Sequence, residues 1–427
     1  MSHFAHRNGS LRAEGVPLPA IAAAAGTPAY VYSTAALRDA ARRLREALTF
    51  VPRKELFFAV KANPNPAVLR VLADEGYGAD IVSGGELTRA RAAGIAPANM
   101  VFSGTGKSPR ELAMALDAAV GHVNLELERE GEVLAQLAAA RGLTATALLR
   151  VNPDVDAGTH AKITTGTANA KFGVPTAEAV GIYDRLAALP GLAMQGIAVH
   201  IGSQITDLTR LEAAYVRIGE LAQALRARGH RISHLDLGGG LGVAYRPGEA
   251  AADVTTWGAM VARLAQAWDV TVMVEPGRFI AADAGVLLTQ VLWVKPGAER
   301  PIVVVDAGMN DLARPALYDA WHDIEAVCPS GERFDADVVG PVCETSDTFA
   351  RGRAIDGVGE GDLVVIRQAG AYGATMASSY NYRALVPEVL VDDTRFAVVA
   401  ERTEAEDLGR SRLAPWMPAA APGARAA

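Results

Sequence analysis

From residue 50 onward, short apolar runs alternate with longer stretches in which apolar residues recur every three or four positions. The short runs predict strands near 56–61, 79–83, 100–103, 121–125, 145–151, 195–201, 233–238 and 270–275. The helical period predicts helices over 66–75, 85–93, 109–118, 131–141, 177–189, 208–228 and 255–268. Eight strands with helical crossovers point to a (β/α)8 TIM-type barrel, a fold that typically takes about 250 residues. An open doubly wound sheet also alternates, but rarely through eight similar units. After Gly277 the helical period fades, and the segments 286–294, 301–306, 336–339, 362–366, 388–391 and 395–400 alternate as strands between Gly, Pro and Asp turns. The expected organisation is an α/β barrel over 36–280 and a mostly antiparallel β domain built from 1–35 and 281–412. A tail over 413–427, rich in Ala, Pro and Gly, reads as disordered. The first thirty residues read as a loose lead-in to a short strand at 27–33, followed by a basic amphipathic helix over 35–48 that Ser33 or Thr34 caps.

Composition narrows the class. Half of the 427 residues are hydrophobic, and 41 basic against 48 acidic residues give a net charge of −7. With no basic run, a nucleic-acid partner is not expected. Two cysteines, Cys328 and Cys343, lack metal-ligand or CxxC spacing and read as free thiols of a reducing compartment. No apolar run reaches the length of a membrane span, so the expected location is the cytoplasm.

The chemistry gathers at strand ends, which in a barrel of this kind form one working face. Lys61 follows the apolar run Phe57-Phe-Ala-Val60, and Pro64 and Pro66 then stop the strand. An amine partly withdrawn from water is suited to covalent attachment of an aldehyde. His200 closes the sixth strand, with Ser203 just beyond it. Asp236-Leu-Gly-Gly-Gly240 closes the seventh, and its bare backbone can cradle a phosphate. Glu275-Pro-Gly-Arg278 closes the eighth, and a carboxyl there can keep a pyridine nitrogen protonated. Each has an ordinary alternative: a snorkelling lysine, a hydrogen-bonded core histidine, a tight turn, a structural Glu–Arg pair. Together they supply an amine, a flat stacking group, a phosphate cradle and an acid for a ring nitrogen. Those four needs are the needs of pyridoxal 5′-phosphate.

These motifs, with Ala59-Val-Lys61-Ala-Asn63, Val151-Asn-Pro-Asp154, Lys171-Phe-Gly173, Gly340-Pro-Val-Cys343-Glu344 and Gln368-Ala-Gly-Ala-Tyr372, resemble the alanine-racemase-like (fold type III) pyridoxal-phosphate decarboxylases in family order over nearly the whole chain. Within that family the likeness is to the branch that decarboxylates meso-2,6-diaminopimelate to L-lysine. The resemblance implies Lys61 as the cofactor's attachment point. It also implies His200, Ser203, Gly239, Gly240, Glu275, Gly277, Arg278 and Tyr372 as cofactor contacts. Arg278, Arg314, Tyr318 and Tyr372 would bind the substrate, with Glu344 at its amino end. Cys343 would be the proton donor, and the family places Cys343 and Glu344 in a neighbouring subunit's site, which implies a homodimer. On residue chemistry alone Cys343 also reads as a small apolar filler and Arg314 as a surface charge. Arginines suit a distal carboxylate better than the purely cationic tail of ornithine, lysine or arginine. Decarboxylases of those amino acids, a racemase and a non-catalytic pyridoxal-phosphate carrier remain the alternatives. No metal is implied. One departure is Ala170, where the family often has Ser.

Overall fold

A computed structural model of the chain describes residues 3–158, 171–404, 407 and 414–417. Eight parallel strands close on themselves: β1 (Lys54–Ala59), β2 (Gly78–Ile81), β3 (Met100–Phe102), β4 (His122–Leu125), β5 (Ala145–Asn152), β6 (Leu192–Ala198), β7 (His234–Asp236) and β8 (Thr271–Val274). Each pairs with its sequence neighbours, and β8 pairs with β1 to complete the ring. Phe57, Val101, Leu148, Ala198 and Met273, all within these strands, pack together in a separate buried cluster that fills the lumen.

Local sequence explains where the outer helices begin. Asn65 accepts from the Ala67 N–H and Pro66 occupies the first helical position, so the chain turns from β1 into the helix Pro66–Asp74 within a few residues. Ser108 and Glu111 satisfy each other's backbone N–H groups in a capping box at the helix Pro109–Ala118. The strand expected to run through Lys61 stops earlier. Asn63 N–H closes a turn back to Val60 at 3.0 Å, and Lys61 lies in the 3-10 turn Val60–Ala62.

A second sheet of nine strands runs in the order Thr348–Asp356, Arg333–Val339, Ile302–Val305, Gly285–Lys295, Ala29–Ser33, Glu388–Asp392, Arg395–Ala400, with Ile324–Ala326 and Leu363–Ile366 branching from Gly285–Lys295. Most pairings are antiparallel. The lead-in proves ordered: a hairpin, Phe4–Arg7 with Ser10–Ala13, precedes the helix Leu18–Ala25. Elements this short leave no period to detect, but Phe4, Leu11, Leu18 and Ile21 are buried against Val31, Val286, Leu288 and Val365. Of the expected tail, 414–417 is described and the remainder lies outside the described residues, as does Ala170. No helix among the described residues is long and apolar enough to cross a membrane.

Candidate active site

A cavity of about 640 Å³ opens at the C-terminal ends of the barrel strands. Lys61, His200, Ser203, Glu275, Arg278, Arg314, Tyr318 and Tyr372 all line it, so residues more than 300 positions apart in sequence meet there. A narrower recess continues beneath it between Ser203, Gly238–Gly240, Gly277 and Arg278.

The floor is acidic. Lys61 Nζ donates to Asp80 Oδ2 at 2.5 Å, and Asp80 is fully buried on β2. Asp236, which ends β7, accepts from the Asn124 amide at 2.7 Å and from Gly238 N–H at 2.9 Å. Ser103 donates to Glu275 at 3.3 Å. Burial, and then the carboxylates of Asp236 and Asp80, push Glu275 well above the ordinary carboxylate range, against the opposing charge of Lys61. Burial raises Asp236 as well, but the hydrogen bonds from Glu275, Gly238 and Asn124 offset part of this. The pair therefore keeps a proton, and it resides on Glu275. For Lys61, burial disfavours the ammonium, yet the Asp80 carboxylate bonded to it outweighs that and holds the amine charged.

Beside this floor His200 is neutral, because burial and the nearby cations Arg150 and Lys61 press its titration well below the usual imidazole range. Gly239 N–H donates to His200 Nδ1 at 3.2 Å, so the ring proton sits on Nε2. The glycine turn cannot carry side chains. Gly238 and Gly240 lie at φ +66° and +107°, and a Cβ at Gly239 would strike the Glu275 carbonyl oxygen. This leaves bare backbone around the recess, with Ser203 and Arg278 at its edge. An amine, a protonated carboxyl, a flat neutral imidazole and a side-chain-free cradle next to a cation fit the aldehyde, ring nitrogen, ring face and phosphate of pyridoxal phosphate.

The roof comes from the β domain. Tyr372 is held in the left-handed region at φ +56°, with its N–H on the Ala62 carbonyl at 2.8 Å, so it hangs over the turn that carries Lys61. Arg278 lies 4.7 Å above the Tyr372 ring and donates to Tyr245 Oη at 2.7 Å and to Ser203 Oγ at 3.2 Å. Arg314 begins the short helix Arg314–Tyr318 and lies 4.5 Å above the Tyr245 ring. Its Nη1 donates to His322 Nε2 at 2.9 Å, and His322 Nδ1 donates to the Arg367 carbonyl at 2.7 Å. A carbonyl only accepts, so His322 must be the neutral Nδ1–H tautomer. Burial and the Arg314 charge, which push it down to about 3, agree with that. Both guanidinium groups are buried, and among the described residues neither has a carboxylate within 4.0 Å.

Cys343 and Glu344 are elsewhere in the fold. They occupy an exposed turn between Arg333–Val339 and Thr348–Asp356, where Cys343 N–H donates to Asn381 Oδ1 at 3.1 Å. Glu344 accepts from the Tyr380 and Ser346 hydroxyls, which hold its carboxyl below the ordinary range.

The pyridoxal-dependent decarboxylase family model, described by its pyridoxal binding domain, matches residues 37–282. A diaminopimelate decarboxylase of Zymomonas mobilis subsp. mobilis is 50% identical over 96% of this chain and 98% of its own length. The chain belongs to the pyridoxal-dependent diaminopimelate decarboxylases. A second family member, from Neisseria meningitidis serogroup A, is 46% identical over 95% of this chain and 99% of its own. Among solved structures of the family, one from Helicobacter pylori complexed with L-lysine superposes with a TM-score of 0.88 at 38% identity, covering 92% of this chain and 98% of that one. One from M. jannaschii in co-complex with L-lysine gives 0.92 at 31% identity, covering 96% and 98%.

Sequence reasoning passed over Asp80, Asn124, Tyr245 and His322 in this site and gave Asp236 no role of its own. Asp80 carried a usable signal: a lone charge in the apolar strand Gly78-Ala-Asp80-Ile81, the same anomaly that singles out Lys61. Tyr245 and His322 lie on irregular connections, where no period marks a residue.

Glu86 carries a pH signature. It accepts from Val82 N–H at 2.7 Å beneath Asp80, and burial raises it from 4.5 to about 7, with Asp80 adding and Val82 and Lys61 opposing. A carboxyl raised in the fold favours the protonated folded state. Its contribution is complete below about pH 4.5 and is lost as pH rises through about 7. In cofactor-free protein, Glu86→Gln should therefore gain on the wild type by on the order of 1–3 kcal/mol between about pH 5 and 8. Urea unfolding at the two pH values checks this, and parallel profiles would contradict it.

Proposed function

We propose that the protein decarboxylates meso-2,6-diaminopimelate to L-lysine and carbon dioxide in the cytoplasm, with pyridoxal 5′-phosphate attached at Lys61 and two chains acting as a dimer. The substrate assignment rests on Arg278 and Arg314, two buried cations that face one cavity with no carboxylate within 4.0 Å among the described residues. Burial holds the Arg314 guanidinium below its ordinary range, Tyr245 opposing and Arg278 adding to the effect, so an arriving anion restores what the fold withholds. A purely cationic tail would meet repulsion there. The distal carboxylate of diaminopimelate meets two guanidinium groups and the Tyr318 hydroxyl instead.

When bound, pyridoxal phosphate supplies the electron sink for the bond to the departing carboxylate. The chain's own groups prepare the rest. Gly239, Gly240, Gly277 and Ser203, with Arg278, take the phosphate, and Tyr372 contacts phosphate and substrate. The neutral His200 offers a flat face without a competing charge. Glu275 would present its proton to the ring nitrogen, with Asp236, fixed by Asn124 and Gly238, beside it. Asp80 orients the Lys61 amine when the substrate's amine displaces it. Cys343 of a second copy protonates the carbon that has lost its carboxylate, and Glu344 of that copy meets the substrate's amino end. The exposed turn supports this arrangement. Tyr380 and Tyr382 are 44% and 55% exposed beside Cys343, and aromatic side chains of this kind are enriched where chains meet.

Arg314→Ala should raise KM for meso-diaminopimelate on the order of ten- to a hundredfold, the loss of a charged hydrogen-bonded pair, with a smaller change in kcat. Steady-state release of carbon dioxide from meso-diaminopimelate, L-lysine, L-ornithine and L-arginine tests the whole reading. Comparable turnover of L-ornithine would sink the substrate assignment, and racemisation without carbon dioxide would sink the reaction.

A further inference from the structure

The end of the barrel opposite Lys61 holds three side chains that the decarboxylation does not use. Glu55 lies in β1, His122 opens β4 and His234 opens β7. Side chains two residues apart on a strand share a face, so His122 and His234 lie one layer below Asn124 and Asp236 inside the barrel. The two imidazole rings are 4.9 Å apart, centre to centre, and Glu55 Oε2 is 3.8 Å from His122 Nε2. One donor atom from each of the three residues falls within 4.8 Å of the other two.

We propose that Glu55, His122 and His234 bind one divalent transition-metal cation, with zinc the best chemical match, and that it staples β1, β4 and β7 at the barrel's stability face. The hydrogen bonds around the cluster already prepare it. Ser233 Oγ lies 2.9 Å from His234 Nδ1 and 3.3 Å from the Gln195 carbonyl, so it can accept the Nδ1 proton of His234 while donating to Gln195. In that arrangement the Nε2 lone pair of His234 is left for a metal. An outer oxygen holding the N–H of a ligating imidazole is the usual support of such a site. His122 Nδ1 is buried without a hydrogen-bond partner, and at 3.8 Å its Nε2 is too far from Glu55 to be bonded to it. The histidine is thus under-satisfied as it stands, and a cation would satisfy it.

Two imidazole nitrogens and one carboxylate oxygen suit zinc, with water in the fourth position, whereas calcium and magnesium prefer all-oxygen shells. Ligand atoms bonded to zinc at about 2.0–2.1 Å lie roughly 3.4 Å apart, so the cluster, whose donor atoms lie within 4.8 Å of one another, must contract by up to about 1.4 Å. Glu55 can supply that movement because its side chain is 40% exposed, and the same exposure gives the ion a path in from solvent. The position also says what the ion does. Residues at the N-terminal ends of barrel strands serve stability rather than chemistry, so occupancy should change melting and leave the reaction alone.

The test uses cofactor-loaded, full-length enzyme, freed of metal by chelator and titrated with zinc chloride by calorimetry, with metal analysis after gel filtration. One zinc per chain and a higher unfolding temperature are expected. Affinity should fall on the order of tenfold in Glu55→Gln and at least about a hundredfold in His122→Asn and His234→Asn, while His230→Asn, at a histidine outside the cluster that pairs with Asp184, binds as the wild type does. Cobalt(II) should give visible ligand-field bands that the same three variants lose. Glu55→Gln alters a half-exposed side chain, so it keeps the test decisive if a histidine variant fails to fold. No stoichiometric zinc in the wild type, or equal uptake by Glu55→Gln and His234→Asn, overturns the proposal.

Discussion

Lys61→Ala is expected to remove the enzyme's visible absorbance and to lower kcat by at least about 10⁴-fold, the scale on which losing a covalent catalytic group acts. The size follows from what the amine does at this position. The Lys61 ammonium is hydrogen-bonded to Asp80, and it opposes the proton uptake that burial forces on Glu275. Removing it takes away the attachment point and leaves Asp80 buried without its ion pair, so the acidic floor should lose its ordered sharing of charge. A small added amine such as methylamine should return part of the activity, because the space and Asp80 remain. A variant that is merely misfolded would not respond. Borohydride reduction of the wild-type enzyme, followed by digestion, should place the cofactor's label on the peptide that carries Lys61. Retained absorbance and activity in Lys61→Ala would contradict the assignment outright.

The barrel was legible because its signal repeats. Most strands are short apolar runs closed by Gly, Pro or Asn, and most helices begin at Ser, Asn, Asp or Pro, the helix Glu128–Ala139 after Leu127 being an exception, so the weak readings reinforce one another. The second sheet was legible only in part. Its strand Thr348–Asp356 reads Thr-Phe-Ala-Arg-Gly-Arg-Ala-Ile-Asp, an edge strand with too few apolar positions to alternate visibly. In the site, what could be read were residues that break a local rule: a lysine at the end of an apolar strand, three glycines in a row, a carboxylate before Pro-Gly. What could not be read were partners made by closure of the ring. Asn124 bonds to Asp236 across 112 positions, and Arg314 reaches Tyr245 from the other domain. No spacing encodes such contacts, because the fold alone brings the two segments together.

Closure across two chains is the step that a mixing experiment can isolate. Cys343 and Glu344 do not line the cavity that Lys61 lines in their own chain. If each active site combines Lys61 of one chain with Cys343 of another, then Lys61→Ala and Cys343→Ala homodimers should each be nearly inactive, for different reasons. Dissociated and reassociated in equal amounts, they should regain about a quarter of wild-type activity. Random pairing makes about half the dimers mixed, and each mixed dimer has one site with both defects and one with neither. The restored site is wild type in full, so its activity adds to whatever the Cys343→Ala homodimer retains. Recovery near a quarter, measured as carbon dioxide release against the concentration of mixed chains, supports a site built from two chains. No recovery despite exchange demonstrated by a tag on one variant would place Cys343 in the same site as its own Lys61, and an active Cys343→Ala homodimer would place it outside catalysis. The exposed pair Tyr380 and Tyr382 gives a second handle on the same geometry. Charged residues in their place should weaken association and lower activity together, and the activity should return as protein concentration rises.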